Sequence, residues 1–300
     1  MRTIGIDLGG HTISAASIAF AETPTIGEQI ILPTPQGRKE SEVLSALAKI
    51  ICALCREEKI CTVGIGLPGF IARDRRRINK LTNFPMFENI DFVDRMECVL
   101  RNEGIESRLF IDNDANCFAL GEGALGAAKG MKDYVVLTLG TGVGAGLVAN
   151  GRLICGANGI AGEPGHIPIL GSLSCNCGGI SHIETYAGAD SVEREARKLG
   201  LPEDFALLWN RRDEPLYKEL IDGVIDALAR CIASLMVVLD PEIIVLNGGL
   251  SQADGIAEVL KLAALPYLPI PSRSAFRVEV STLGSDAGLY GAALLPMQER

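Results

Sequence analysis

A duplicated α/β protein is what the sequence predicts, and three observations carry that reading. Short β-type apolar runs alternate with helix-period segments along 300 residues. The pattern strand, glycine-rich turn, strand occurs twice, at residues 3–20 and 134–149, about half the chain apart. Hydrophobic residues make up 48% and charged residues 22%, a composition that closes around real cores rather than staying disordered. A chain of this length holds one large domain or two ordinary ones.

The elements follow in order. Residues 3–7 read as a strand, Gly9 and Gly10 as a turn, and residues 12–20 as a second strand. After a link containing Pro33, Pro35 and Gly37, residues 41–58 carry Val43, Leu44, Leu47, Ile50, Ile51 and Leu54 at helical spacing, with Ser41 placed to cap them. A strand over 62–67 meets a Pro68-Gly69 turn, and 91–102 reads as an amphipathic helix. A strand over 108–111 ends at Asp112, Asn113 and Asp114, directly before a helix from 115 to about 127. The run 134–139 enters a glycine-rich turn at 140–146 and leaves as a strand over 147–149. An irregular Gly, Pro and Cys segment (156–179) follows, then helices over 183–199 and 216–239, strands over 242–246 and 277–282, and a terminal helix over 286–295.

Twenty-eight Lys and Arg against 37 Asp and Glu leave a net charge of −9, which attracts neither phosphate backbones nor anionic lipid. Nucleic acid and membrane are therefore not expected partners. The first ten residues lack a secretory pattern, and the most apolar stretch, 231–246, is broken by Asp240, Pro241 and Glu242, so a cytoplasmic protein is expected. There, nine cysteines are read as buried hydrophobes or metal ligands rather than disulfides, Cys52 and Cys55 as helix packing.

The chemistry-bearing residues fall into three groups. Asp7 closes the first strand ahead of Gly9 and Gly10; backbone N–H groups of such a hairpin donate to phosphate, and a neighbouring carboxylate holds Mg²⁺ through water, although an ordinary β-turn has the same sequence. The second hairpin, at 140–146, is what raises the phosphate reading. Asp112, Asn113 and Asp114 read either as helix caps or as a general base with an amide beside it that orients an attacking hydroxyl. His166, Cys175, Cys177 and His182 place two of the chain's three histidines beside a Cys-x-Cys pair, a donor set for a closed tetrahedral Zn²⁺ site; solvated loop thiols are the plainer alternative. Glu163 and Glu184 flank that cluster and offer acceptors to sugar hydroxyls.

These motifs, IGIDLGGHT, FIDNDANCFALGEGALGAAKG, VVLTLGTGVGAGLV, GANGIAGEPGHIPI, CNCGGISHIETYAG and DPEIIVLNGGLS, resemble in order and spacing those of the ROK family of sugar kinases and sugar-responsive repressors. The resemblance implies an actin-like ATPase fold of ribonuclease H-like type. Its two α/β lobes would close over a central cleft, one formed by 1–117 completed by 286–300, the other by 118–285 carrying the zinc loop. It implies ATP with Mg²⁺ held by Asp7, Gly9, Gly10, His11 and Thr12 and by Gly140, Thr141, Gly142 and Gly144, with Gly248 and Gly249 near the adenosine. Asp114 becomes the catalytic base; Asn113, Glu163, His166, Glu184 and the Pro68-Gly69 turn become the sugar site; and His166, Cys175, Cys177 and His182 become ligands of a structural zinc.

Three positions depart from the family pattern. Position 11 is His where Thr is usual, position 182 is His where Cys is usual, and Gly179-Ile180-Ser181 lacks the usual Gly before that ligand. The family's repressors carry an added N-terminal helix-turn-helix, and this acidic chain opens on the phosphate hairpin, so a kinase of a hexose such as glucose is expected. Kinases of N-acetylmannosamine, fructose or allose, and a non-catalytic sugar sensor, remain open. The family is often dimeric.

Overall fold

The computed structural model describes residues 2–22, 24–37, 39–55, 60–82 and 84–298. They form two compact units, the first comprising Met1–Leu125, Cys155–Ala161 and Ser285–Arg300, the second Gly126–Ile154 and Gly162–Gly284.

In the first unit, β1 (Arg2–Leu8) and β2 (Thr12–Ala19) form the expected hairpin, which β3 (Thr25–Pro33) extends. The helix α1 (Glu40–Cys55) then leads to β4 (Ile60–Leu67), and three short strands, β5 (Gly69–Ile71), β6 (Ile78–Leu81) and β7 (Phe84–Ile90), form a separate antiparallel sheet. The helix α2 (Phe92–Asn102), β8 (Glu106–Asn113) and α3 (Asp114–Leu125) complete the run. The main sheet has the order β3-β2-β1-β4-β8, with β1, β4 and β8 parallel.

The second unit repeats this plan. Its sheet is ordered β11-β10-β9-β12-β13, from β9 (Tyr134–Leu139), β10 (Val143–Ala149), β11 (Arg152–Leu153), β12 (Ile243–Asn247) and β13 (Val278–Val280), with β9, β12 and β13 parallel. In both sheets a hairpin-linked meander of three strands is followed by two parallel strands, so the duplication read from two hairpins extends to the whole topology. The helices are α4 (Glu184–Ala187), α5 (Ala189–Lys198), α6 (Phe205–Asn210), α7 (Pro215–Leu239), α8 (Ile256–Ala264) and, in the first unit, α9 (Asp286–Leu294).

Hydrophobic burial holds each unit together. Leu47, Ile50, Ile51 and Leu54 of α1 sit at 0–1% exposure in one cluster with Ile6, Ile65 and Ile111 of the sheet. Each such side chain contributes roughly 1.5–3 kcal/mol relative to remaining in water. In the second unit Ile221, Val224, Leu228 and Ile232 of α7 do the same against Leu137 and Leu246. On the other face of the first sheet, the backbone of α9 lies directly on the strands: a Cβ at Gly64 would fall 1.7 Å from the Ala292 carbonyl oxygen. The same helix meets α3 equally closely, since a Cβ at Gly291 would fall 1.6 Å from the Cys117 oxygen. That packing explains why the first unit runs to Leu125, whereas the sequence reading divided the chain after 117, inside α3.

Some expectations need correction. Cys55 and Cys61 are joined as a disulfide, against the reading that the cysteines stay unpaired. The end of α1 and the start of β4 come within 5.9 Å between Cα atoms, inside the range a disulfide bridges. Ser41 does not cap α1, because the helix already begins at Glu40; its expected continuation over 56–58 lies outside the described residues. The helix expected over 183–199 breaks at Gly188, whose extended backbone (φ −71°, ψ 141°) separates α4 from α5. Among the described residues no helix is long and apolar enough to cross a membrane.

Candidate active site

Sheet register assembles the acidic groups of the first unit. Asp7 pairs with Gly66 across β1 and β4, and Gly66 pairs with Asp112 across β4 and β8, so Asp7 and the 112–114 segment share the carboxyl edge of three parallel strands. That edge is where open α/β sheets place their ligands. Asp7 and Asp114 keep part of their surface open but are otherwise enclosed by protein atoms. Desolvation, reinforced by the charge of Asp114, pushes the Asp7 carboxyl up to about 7. Desolvation likewise raises Asp114 to about 6, partly offset by the Ala115 N–H, which donates to Asp114 Oδ1 at 2.9 Å.

Asn113 is the residue that caps α3, its Oδ1 accepting from the Asn116 N–H at 3.3 Å, while its Nδ2 donates to the Gly69 carbonyl at 3.0 Å. The Pro68-Gly69 turn is thus tied to the segment it was expected to accompany. Gly69 itself holds φ 143°, a backbone that favours glycine.

The first hairpin is braced from outside. The Gly9 N–H donates to the Thr12 carbonyl at 2.8 Å, and Thr34 clamps both sides of the turn: its N–H donates to the His11 carbonyl at 2.9 Å and its hydroxyl to the Gly9 carbonyl at 2.8 Å. His11 and Thr12 are exposed, and Gly10 is half-buried. Thr34, buried between two prolines, was missed from sequence because nothing in Pro-Thr-Pro reports a partner 25 residues away.

In the second unit the glycine hairpin and the carboxylate of Glu184 are one construction. The Val143 N–H donates to Glu184 Oε2 at 3.0 Å, and a Cβ at Gly142 would lie 2.1 Å from that same oxygen. Gly142 is therefore required by Glu184. Gly140 accepts from the Ala189 N–H at 3.0 Å at the start of α5, and a Cβ at Gly188 would fall 2.9 Å from the carbonyl oxygens of both Thr141 and Glu184. Gly144 sits in β10 opposite Thr138; Gly248, at φ 95°, and Gly249 follow β12 at the same edge. Glu163 precedes the short turn Pro164–His166, its carbonyl accepting from the His166 N–H at 3.0 Å. Gly142→Ala is expected to displace the Glu184 carboxylate and break its hydrogen bond from the Val143 N–H, lowering stability by about 1–3 kcal/mol in urea denaturation; unchanged stability would count against this coupling.

His166, Cys175, Cys177 and His182 converge, with one ligand atom from each lying within 4.8 Å of all the others. Cys177 Sγ is 3.3 Å from His182 Nδ1, and the two imidazole centroids are 5.2 Å apart. His166 Nδ1 is buried without a hydrogen-bond partner. Two thiols, two imidazoles and an unsatisfied ring nitrogen at this spacing fit a structural zinc site. Asp7 is raised first by desolvation and then by the Asp114 charge, so a divalent cation held there through water would relieve the repulsion.

The cost of Asp7 is measurable. Below the ordinary carboxylate range it is protonated in folded and unfolded chains alike; as pH rises from about 4 to 7 the unfolded chain ionises first, so stability falls across that window. Asp7→Asn is expected to be neutral near pH 4 and stabilising by about 1–3 kcal/mol near pH 8 in magnesium-free buffer. Urea denaturation at both pH values checks it, and a loss of stability at the higher pH would contradict it.

Comparison with known proteins agrees with this architecture. The ROK family model matches residues 3–299. A glucokinase of Thermotoga maritima is 32% identical over 312 residues, covering 98% of this chain and 96% of the relative. An N-acetyl-D-glucosamine kinase of Pectobacterium atrosepticum is also 32% identical, covering 98% and 99%. The crystal structure of a ROK family glucokinase from Streptomyces griseus, in complex with glucose and AMPPNP, superposes with a TM-score of 0.80 at 25% identity, covering 99% of this chain and 100% of the other. The chain belongs to the ROK family. Its fold is the two-lobed α/β fold of that family, one five-stranded mixed sheet in each unit.

Proposed function

We propose that the chain is an ATP-dependent sugar kinase that phosphorylates a hydroxyl of a hexose, with Asp114 as the general base. The observation that carries this reading is the placement of Asp114: it opens α3 directly after the parallel strand β8, next to Asn113 and close enough to Asp7 to raise it, in surroundings that raise its own carboxyl to about 6. A base with that affinity is ionised at neutral pH yet able to accept a proton from a hydroxyl whose own acidity rises as it attacks. Asn113 orients the sugar, helped by the Pro68-Gly69 turn, Glu163, His166 and Glu184. The hairpins at Gly9 to Thr12 and Gly140 to Gly144 cradle the nucleotide phosphates through backbone N–H groups, and Gly248 and Gly249 leave room for its adenosine. Phosphoryl transfer has a loose transition state, so in-line positioning and charge neutralisation supply most of the rate, and proton removal comes late.

Asp7 would hold magnesium through water, and magnesium there supplies charge neutralisation on the phosphate oxygens. His166, Cys175, Cys177 and His182 would hold zinc, which supplies rigidity to the loop between Ile167 and Ile183. Relatives that differ in named sugar, glucose in one and N-acetylglucosamine in another, stand at equal identity. The substrate class is accordingly a neutral hexose or N-acetylhexosamine. A coupled ADP-release assay across glucose, mannose, fructose, allose and the N-acetylhexosamines tests the function: sugar-dependent turnover is expected with at least one, and sugar-independent or absent ATP turnover with all would sink it. Sedimentation of the purified protein tests the homodimer that the family resemblance implies.

A further inference from the structure

The turn between β5 and β6 carries five consecutive charged residues, 73–77, and one of them points inward. Arg76 reaches out to Asp94 and Glu97, and Arg77 to Asp91. Arg75 instead holds a left-handed φ of 54°, its N–H donating to the Ala72 carbonyl at 2.8 Å. This backbone, uncommon for a bulky side chain, sends its guanidinium into the protein. There Nη2 lies 2.9 Å from Asp112 Oδ2, with the two side chains 18% and 5% exposed. The same nitrogen donates to Cys155 Sγ at 3.7 Å.

Asp112 is the node of the segment that follows it. Its other oxygen, Oδ1, accepts from the Asn113 N–H and from Asn116 Nδ2, both at 2.8 Å. Asn116 in turn donates its N–H to Asn113 Oδ1 at 3.3 Å. The orientation of the 112–114 backbone thus depends on how the Asp112 carboxylate is held, and Arg75 is the cation that holds it. A buried ion pair is weak evidence for stability, because apolar packing of equal volume serves as well. What such a pair does supply is a fixed geometry for the groups hydrogen-bonded to it.

We propose that Arg75 is a positioning residue for phosphoryl transfer, fixing Asn113 and Asp114 by clamping Asp112 in a buried ion pair. The proposal rests on the reading of Asp114 as the base. Its contact with Cys155 extends the clamp to the 155–161 segment, which in sequence leads directly to Glu163. Arg75 itself touches no reacting atom.

The test is a kinetic cycle on the full chain with the best sugar of the panel: Arg75→Met, Arg75→Lys, Asp112→Asn and the double variant Arg75→Met with Asp112→Asn, beside Asp114→Asn. A misplacement of about 1 Å costs on the order of 100-fold in rate. Arg75→Met is therefore expected to lower kcat by about 10–100-fold with the ATP KM within about twofold, and Arg75→Lys to recover part of the loss. Asp112→Asn keeps an oxygen for the two 2.8 Å hydrogen bonds and loses the ion pair, and it is expected to match Arg75→Met, with the double variant no worse than either single. Wild-type kcat in Arg75→Met, or losses that simply add in the double variant, would overturn the proposal. If Arg75→Met fails to fold, Asp112→Asn decides alone: a similar kcat loss supports the clamp and wild-type turnover removes it. Should Asp114→Asn turn over normally, the base reading falls whatever Arg75 does; should it be inactive while Arg75→Met is normal, only the clamp falls.

Discussion

Asp114→Asn is expected to lower kcat by about 10³-fold, within the 10²–10⁴ that a positioned general base contributes, while the sugar KM moves only a few-fold. The substitution is nearly isosteric and keeps an oxygen to accept the Ala115 N–H now bonded to Asp114 at 2.9 Å, so the start of α3 should survive. It also removes a charge that desolvation disfavours and that raises the Asp7 carboxyl, so the variant should be at least as stable as the parent near pH 8. A loss of activity accompanied by no loss of stability separates a chemical role from a structural one. The pH profile gives a second, independent sign. The base must be ionised, and Asp114 titrates near 6, so wild-type kcat/KM is expected to fall as pH drops below about 6, and this limb should vanish from the residual activity of the variant. Retention of more than about a tenth of kcat would mean that the hydroxyl loses its proton by another route.

The parts of this site that were legible in the sequence are those whose chemistry is local. A carboxylate ahead of two glycines, an Asp-Asn-Asp run at a strand end and a Cys-x-Cys pair between two histidines each mark candidate residues by type, and the repeated hairpin points to the duplicated sheets. What stayed hidden depends on partners distant in sequence. Thr34 reaches Gly9, Arg75 reaches Asp112 and Cys155, and Gly142 yields its Cβ space to Glu184, contacts that no window of neighbouring residues contains. The strand at Thr25–Pro33 was unread for a different reason: it is the edge of its sheet with mostly exposed side chains, so it lacks the apolar alternation that marks half-buried strands. The small sheet over Gly69–Ile90 was hidden because two of its strands have only three and four residues and its pairings are interrupted by register shifts.

Zinc removal tests whether the loop and the sugar site are one object. A tetrahedral zinc with Zn–N near 2.0–2.1 Å and Zn–S near 2.3 Å holds its ligand atoms about 3.3–3.8 Å apart. Cys177 Sγ and His182 Nδ1 already stand at 3.3 Å, and the whole set lies within 4.8 Å, so little contraction is needed. The loop's backbone is built around the same side chains. A Cβ at Gly179 would fall 2.4 Å from His182 Cε1, which explains why a glycine stands there once an imidazole occupies position 182. Ser181 adopts the left-handed φ of 55° where glycine would be easier, with its hydroxyl 3.3 Å from Tyr186 Oη. Two thiolates against Zn²⁺ leave the His₂Cys₂ centre neutral, so the loop carries no stranded charge when loaded. His166 is at once a member of this cluster and a residue proposed to meet the sugar. Stripping the metal should therefore raise the sugar KM by about tenfold while the ATP KM stays within about twofold, and lower the thermal midpoint by about 5 °C, equivalent to roughly 2 kcal/mol. Cys177→Ser should reproduce both effects. Protein purified without chelator is expected to carry about one zinc per chain by elemental analysis; a metal content near zero, or a thermal midpoint indifferent to chelation, would show that these four side chains converge for packing alone.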